Sequence, residues 1–339
     1  MPPLVEISDD NFLNALIEQG IDKNGDSLIS LAEAEAVICL DISGTNAVQR
    51  GNITNLQGIE KFINLDTLNC SYNQIINLSV SNNSNLIALY CIGNQLNSLN
   101  ISGNSALEWL GCGDNQLVTL DLANNVALKF LHCSSNQLTD LDVSNNIFLE
   151  FLHCRSNQLT NLDFSSNTAL HTLYCYDNKI SNLNISDNAA LETLYCNDNN
   201  ITELNISNIK ALKWLYCSTN NITSLDVSNN TSLESLDCSE NKLNSLNVTQ
   251  NTSLEGLNCS KNYLTSISVS KNSLLKWFYC SENNFTGINI SNNIYLKRIE
   301  LSDMPTLNKV CVWTLPFPPE GLEVDTSSSP NVYFTTDCK

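Results

Sequence analysis

The chain has 339 residues, of which only 15% are charged, with 35 Asp and Glu against 16 Lys and Arg for a net charge of −19. A surface this acidic repels phosphate backbones and argues against nucleic acid as a partner. No apolar run reaches the roughly 18 residues needed to span a bilayer, so no transmembrane segment is expected. The opening Met1-Pro2-Pro3-Leu4-Val5 lacks the basic and apolar regions of a secretory signal, so an exported form is expected to be a processed one. Fourteen cysteines can mean a disulfide scaffold, a metal cluster or buried thiols, and their spacing has to decide.

The first expected element is a helix. Ser8 reads as its N-cap, followed by acidic first-turn residues and an amphipathic run that closes at Gly20. The next stretch reads Asp22-Lys23-Asn24-Gly25-Asp26-Ser27-Leu28-Ile29-Ser30-Leu31-Ala32-Glu33. Asp22, Asn24 and Asp26 fall at loop positions one, three and five, Ile29 at eight and Glu33 at twelve. This spacing resembles the calcium loop of EF-hand and dockerin-like modules. The resemblance implies one Ca²⁺ held by Asp22, Asn24, Asp26, the Leu28 carbonyl and a bidentate Glu33. One departure matters: position six, usually Gly, is Ser27. The competing reading is a polar helix-loop-helix cap without metal. Either way, residues 1–37 form an N-terminal cap.

A first strand is expected over Ile38-Cys39-Leu40-Asp41-Ile42, with Cys39 as a core thiol. Beyond it, cysteines recur at 70, 91, 112, 133, 154, 175, 196, 217, 238, 259 and 280, an interval of 21 each time. A fixed period in this range marks a solenoid. One unit reads Leu128-Lys129-Phe130-Leu131-His132-Cys133-Ser134-Ser135-Asn136-Gln137-Leu138 and continues through Leu141 and Val143. Leu-x-Cys alternates with period two, which is a short strand. A single unit cannot bury its own apolar side, so neighbours must stack. Leu-x-Val is the place for a second short strand on the opposite side. Asn73, Asn94, Asn115, Asn136 and their later equivalents form a column suited to satisfying backbone in successive turns.

These units resemble the leucine-rich repeat family, whose signature is L-x-x-L-x-L-x-x-N/C-x-L. The likeness runs from about Ile53 to Val312, and the nearest branch is the bacterial secreted or cell-surface kind, internalin-like with Cys-containing 21-residue units. The resemblance implies a right-handed curved solenoid with a parallel β-sheet on its concave face, mostly β and irregular, over residues 38–303. It implies a non-enzymatic binding scaffold, secreted or at the cell surface. Cysteine takes an inward position usually held by Leu, so eleven cysteines in one column read as free core thiols. The alternative is a thiolate ladder for metal, although the C-x-x-C clustering of zinc sites is lacking.

Cys311 and Cys338 lie outside the period, around the Pro-rich stretch Thr314-Leu315-Pro316-Phe317-Pro318-Pro319. A solenoid end exposes its core and needs a cap. A Cys311–Cys338 disulfide tying Val332-Tyr333-Phe334 over the last rung is the expected closure of a C-terminal cap over 304–339. It calls for an oxidising compartment.

The residues beside each inward Leu and Cys point outward and are not needed for folding, so their identity is informative. Three residues before Cys stand Trp109, Phe130, Phe151, Trp214 and Trp277. One before Cys stand Tyr90, His132, His153, Tyr174, Tyr195, Tyr216 and Tyr279, and one after it Arg155 and Tyr176. This stripe runs from Tyr90 to Tyr216, breaks at Ser235, Asp237, Gly256 and Asn258, and resumes at Trp277 and Tyr279. Solvated strand faces do not ordinarily collect aromatics, and a contiguous exposed patch indicates binding. The rival reading is a ladder of rings that stiffens the sheet. His132 and His153, one rung apart, invite a transition-metal or proton-transfer role, but no carboxylate stands with them in either column.

No P-loop, G-x-G-x-x-G, H-E-x-x-H or G-x-S-x-G motif is present, and the Glu residues four before Cys read as a solvated rim. Three functions stay open: an adhesin-like module that binds a protein on the concave face, a carbohydrate-binding surface protein, and a structural stalk.

Overall fold

The computed structural model describes residues 3–44 and 51–338. Residues 1 and 2 lie outside that range, as do 45–50 and 339. The chain divides into two compact units, one ending at Leu170 and the other beginning at His171.

The first unit opens with helix α1, Asp10–Glu18. Its N-cap is Asp9, not Ser8: Asp9 Oδ1 accepts from the backbone N–H of Asn11 and Phe12, each at 3.0 Å. A carboxylate there also favours the positive end of the helix dipole. Asp9 Oδ2 accepts from Thr54 N–H and Oγ1 at 2.8 and 2.6 Å, so one side chain ties the helix to the start of the repeats. Burial alone would raise the Asp9 pKa, but hydrogen bonds from Thr54, Phe12 and Asn55 outweigh it and hold it low. Ser8 instead donates to Asn55 Oδ1 at 3.1 Å. Phe12 and Leu16 face inward, and Phe12 packs 6.4 Å from the Phe62 ring. Helix α2, Leu31–Glu35, starts with a capping box between Ser30 and Glu33.

Six three-residue strands then pair in parallel within this unit: Cys39–Asp41, Thr67–Asn69, Ala88–Tyr90, Trp109–Gly111, Phe130–His132 and Phe151–His153. The register puts Leu on Leu and Cys minus three on Cys minus three. Asn77–Ser79 pairs with Ser98–Asn100 on the opposite side, where the second short strand is expected. Inside, Leu128, Leu131, Cys133 and Leu138 have no exposed surface and Val143 only 1%. Each such Leu removes apolar area worth about 1.5–3 kcal/mol from water.

The register corrects one expectation. Leu40 lies opposite Leu68, so Leu40 is the inward residue and Cys39 lies opposite Thr67 on the outer face. Cys39 is exposed and bonds Asp66 Oδ1 at 3.3 Å. Buried Ile42 fills the slot that cysteine holds in later rungs.

In the second unit eight strands pair in parallel from Thr172–Tyr174 to Glu323–Asp325. Gly287–Asn289, Lys309–Cys311 and Tyr333–Thr335 form a second parallel set at the C-terminal end. The Cys311–Cys338 disulfide joins this set with Cα atoms 5.5 Å apart. Phe317 packs on Trp313 at 5.5 Å and on Phe334 at 4.7 Å, which closes the apolar end.

The eleven periodic cysteines are buried free thiols. Burial pushes thiols such as Cys112 and Cys154 up to about 12, so they stay protonated and serve as small apolar side chains rather than thiolate ligands.

Two asparagine columns hold the turns. Asn136 Nδ2 donates to the carbonyls of Cys112, Cys133 and Ser134 at 3.1–3.2 Å, and its Oδ1 accepts Leu117 N–H at 2.9 Å. The residue before each of these asparagines takes a left-handed backbone, as Ser135 does at φ 52°. The second column contains Asn104, Asn125 and Asn146, all with no exposed surface. Asn146 Nδ2 donates to Leu122 O and Asn125 O at 3.3 and 2.8 Å. Buried amide groups can replace water in this way only if the stacking is regular.

Candidate functional site

All thirteen aromatic and His residues of the expected face lie half-buried or exposed on the outer side of the strands. Within the first unit they stack on each other. Trp109 lies 3.9 Å from Phe130 at 12°, and Phe130 lies 5.2 Å from Phe151 at 18°. Phe130 therefore spends both ring faces on neighbours, while Trp109 keeps 36% exposure. Gly111 leaves a notch between Tyr90 and His132, part of a hollow of about 130 Å³ that Trp109 and Phe130 also line.

His132 and His153 stack at 4.8 Å and 11°. His132 Nε2 lies 2.6 Å from Ser134 Oγ. Burial lowers the His132 pKa, and Arg155 adds to this against Asp114. Burial, then His132 and Arg155, lowers His153 to about 4. Both rings are therefore neutral at pH 7, which is what two imidazoles in a stack require. The sign of the pH dependence follows. Between the unfolded value near 6.5 and the folded value near 4, the unfolded chain holds the extra proton. Stability should be complete above about pH 6.5 and fall as pH drops toward 4. Urea midpoints at pH 7 and pH 5 measure this; His153→Phe should flatten the slope, and an unchanged slope would contradict the assignment.

In the second unit Tyr174 meets Tyr195 edge-on at 4.9 Å, and Tyr195 lies 4.4 Å from Tyr216. Burial, with Tyr216 and Tyr174 nearby, raises the Tyr195 phenol to about 12. Tyr176 is half-buried one position after the Cys column. Lys213 Nζ sits 5.8 Å from the Trp214 ring centre, and Lys276 Nζ 6.0 Å from that of Trp277. The rim carboxylates are not merely solvated: Glu192 pairs with Lys213 at 2.8 Å and Glu255 with Lys276 at 2.7 Å.

The break in the aromatic stripe has its own shape. Small residues at Ser235, Gly256 and Asn258 stand between Tyr216 and the pair Trp277 and Tyr279, leaving a cavity of about 300 Å³. The absence of large side chains is the signal that a search for aromatics passes over.

The N-terminal loop keeps its oxygen donors together in sequence and spends them on backbone. Asp22 accepts from Gly25 and Ser27 N–H, Asn24 from Asp26 N–H, and Asp26 from Leu28 N–H, all at 2.8–2.9 Å. Glu33 accepts from Lys23 and Ser30, and these bonds lower its pKa to about 2, the Ser30 backbone contributing most. Ser27 makes the sharp turn at φ 62°, the left-handed conformation that Gly usually supplies. Among the described residues no three His, Cys, Asp or Glu side chains gather around one point as metal ligands. No helix among them is long and apolar enough to cross a membrane.

No protein-family model and no curated protein matches the chain. Solved structures do. The functional domain of InlJ from Listeria monocytogenes, which includes a cysteine ladder, is 28% identical with a TM-score of 0.64, over 90% of this chain and 74% of that one. The internalin InlF of Listeria monocytogenes is 22% identical with a TM-score of 0.76, over 94% and 99%. The plant peptide hormone receptor RGFR1, in complex with RGF2, shares 18% identity and a TM-score of 0.70, over 90% of this chain and 52% of that one. With its parallel rungs, cysteine column and asparagine ladders, the chain has the leucine-rich repeat solenoid fold and is similar to the internalins.

Proposed function

We propose that the protein is a non-enzymatic, adhesin-like recognition module, secreted or displayed at a bacterial cell surface, that binds a protein partner on the outer face of its strands. The observation that carries this reading is the aromatic face: Trp109, Trp214 and Trp277 keep 36–40% exposure on strands whose inward residues already complete the core. Rigid rings with polar tips give large contact area at low entropic cost. The disulfide supports an oxidising location. The peptide-bound plant receptor supports protein over sugar as the ligand class. Screening the protein in parallel on an array of extracellular proteins and a glycan array tests this. Hits confined to proteins are expected; hits confined to glycans would favour the carbohydrate-binding reading.

For the N-terminal loop we propose Ca²⁺, held by Asp22, Asn24, Asp26, Leu28 O and Glu33. The left-handed Ser27 supports it by removing the objection to a missing Gly. Hard oxygens of this number suit Ca²⁺, which would fix the cap rather than take part in recognition. Millimolar CaCl₂ should raise the melting temperature, and Asp22→Ala should abolish the rise. An unchanged melting temperature would refute the proposal.

A further inference from the structure

The gap between Tyr216 and Trp277 is built differently from the rest of the face. The strands carrying these rings are three positions apart, so their backbones are separated by about 14 Å. Tyr216 is held toward the gap by a 3.1 Å bond between its hydroxyl and Ser235 Oγ. In the intervening rungs the outward positions are Ser235 and Asp237, then Gly256 and Asn258. A Cβ added at Gly256 would meet only Ser235 Oγ, at 3.4 Å, so the space beside this backbone is open. Asp237 uses Oδ1 on Ser239, accepting N–H at 3.0 Å and Oγ–H at 2.6 Å, while Oδ2 has no hydrogen-bond partner among the described residues. The cavity thus has aromatic walls and one carboxylate oxygen available.

A second cavity of about 380 Å³ adjoins it, sharing Asn258 and Tyr279. This one is lined by Glu240, Glu282 and Glu300, with Lys261 the one basic residue in its lining. Counting Asp237, four carboxylates line the two cavities. Lys261 is already committed to Glu240 at 2.9 Å and also reaches Glu282 at 4.0 Å, and Glu300 is paired with Arg298 at 2.8 Å. This leaves Asp237 as the one without a basic partner among the described residues.

From this arrangement we infer that the cavity at Asp237 takes an arginine side chain of the protein partner, which deepens and rests on the proposed protein-binding function. The planar guanidinium stacks on aromatic faces and can donate to the carboxylate, and Arg is weakly hydrated enough to enter such a place. The acidic second cavity favours further basic residues on the same partner segment. A neutral sugar can donate a hydroxyl to the available Asp237 oxygen but leaves its charge uncompensated.

The test is NMR titration with acetyl-Gly-Arg-Gly-amide and with the same peptide carrying citrulline, which keeps the shape of arginine without its charge. The arginine peptide should move the Trp277 indole and Asn258 amide resonances, and the citrulline peptide should not. Asp237→Asn preserves the acceptor for Ser239 and should weaken binding by on the order of tenfold. Gly256→Leu should block the cavity. Equal shifts with citrulline, unchanged affinity in Asp237→Asn, or preferential binding of N-acetyllactosamine to these resonances would overturn the inference. Protein hits on the array together with a failed peptide titration would sink the inference alone. Glycan-only hits would sink the broader reading.

Discussion

Replacing Asn136 by alanine should destabilise the first unit by about 1–3 kcal/mol, the cost of one buried polar group left unpaired. Leu117 N–H loses its acceptor and is left unpaired, while the carbonyls of Cys112, Cys133 and Ser134 lose the Nδ2 donor but keep Asn115 Nδ2, Asn157 Nδ2 and Asp114 N–H. All four interactions are buried, so water cannot replace them without opening the stack. Asn136→Asp separates the two halves of the effect. It keeps an acceptor for Leu117 but turns a carboxylate toward three carbonyl oxygens, and should be worse than alanine. Because each rung touches only its neighbours, the damage should be local in hydrogen exchange, centred on the rungs of Cys112 and Cys133. Urea unfolding followed by circular dichroism gives the magnitude; a loss under about 0.5 kcal/mol would show that the ladder is incidental.

Opening the Cys311–Cys338 bond should cost at least as much. The two cysteines are 27 residues apart, and the chain-entropy relation gives about 3.5 kcal/mol for a loop of that size. The loss should appear first as faster exchange in Tyr333–Thr335, the strand that pairs with Lys309–Cys311. Thiol counting checks the cysteine assignment in the same sample. One thiol, exposed Cys39, should titrate in the folded protein, twelve after unfolding, and all fourteen after reduction. More than one reactive thiol in the native state would contradict the buried column. Equal stability with the bond open would show that the aromatic packing of Phe317 and Phe334 closes the end by itself.

The period made most of the fold readable, because an inward Leu or Cys every rung leaves no second register that buries the same set. What the period hid is instructive. Cysteine is inward in the later rungs, which points Cys39 inward as well, yet period-two alternation around Leu40 sends it outward and gives its slot to Ile42. Ser8 and Asp9 are both good caps in sequence, and in the fold Asp9 caps the helix and bonds Thr54 while Ser8 bonds Asn55. The second asparagine column, at Asn104, Asn125 and Asn146, is as regular as the first. Its role depends on which carbonyls come within reach, which is a property of the stack. On the outer face the aromatic columns were legible, and so was the break at Ser235 to Asn258. That the break is a cavity follows only from where Tyr216 and Trp277 place their rings. The face also proved partly self-satisfied: the Trp109–Phe130–Phe151 stack stiffens the sheet as well as presenting an edge to solvent.

The division between residues fixed by the period and residues left free is the central claim, and one paired measurement tests it. Trp109, Tyr174 and Trp214 are replaced together by alanine, and the variant is compared with the parent protein for thermal unfolding and for binding to the protein hits of the array. A modest drop in stability is expected, about 1 kcal/mol for each lost ring contact, with cooperative unfolding retained. Affinity should fall by roughly a hundredfold or more, as when interface aromatics are truncated. Unchanged binding, or a variant that no longer folds, would contradict the claim.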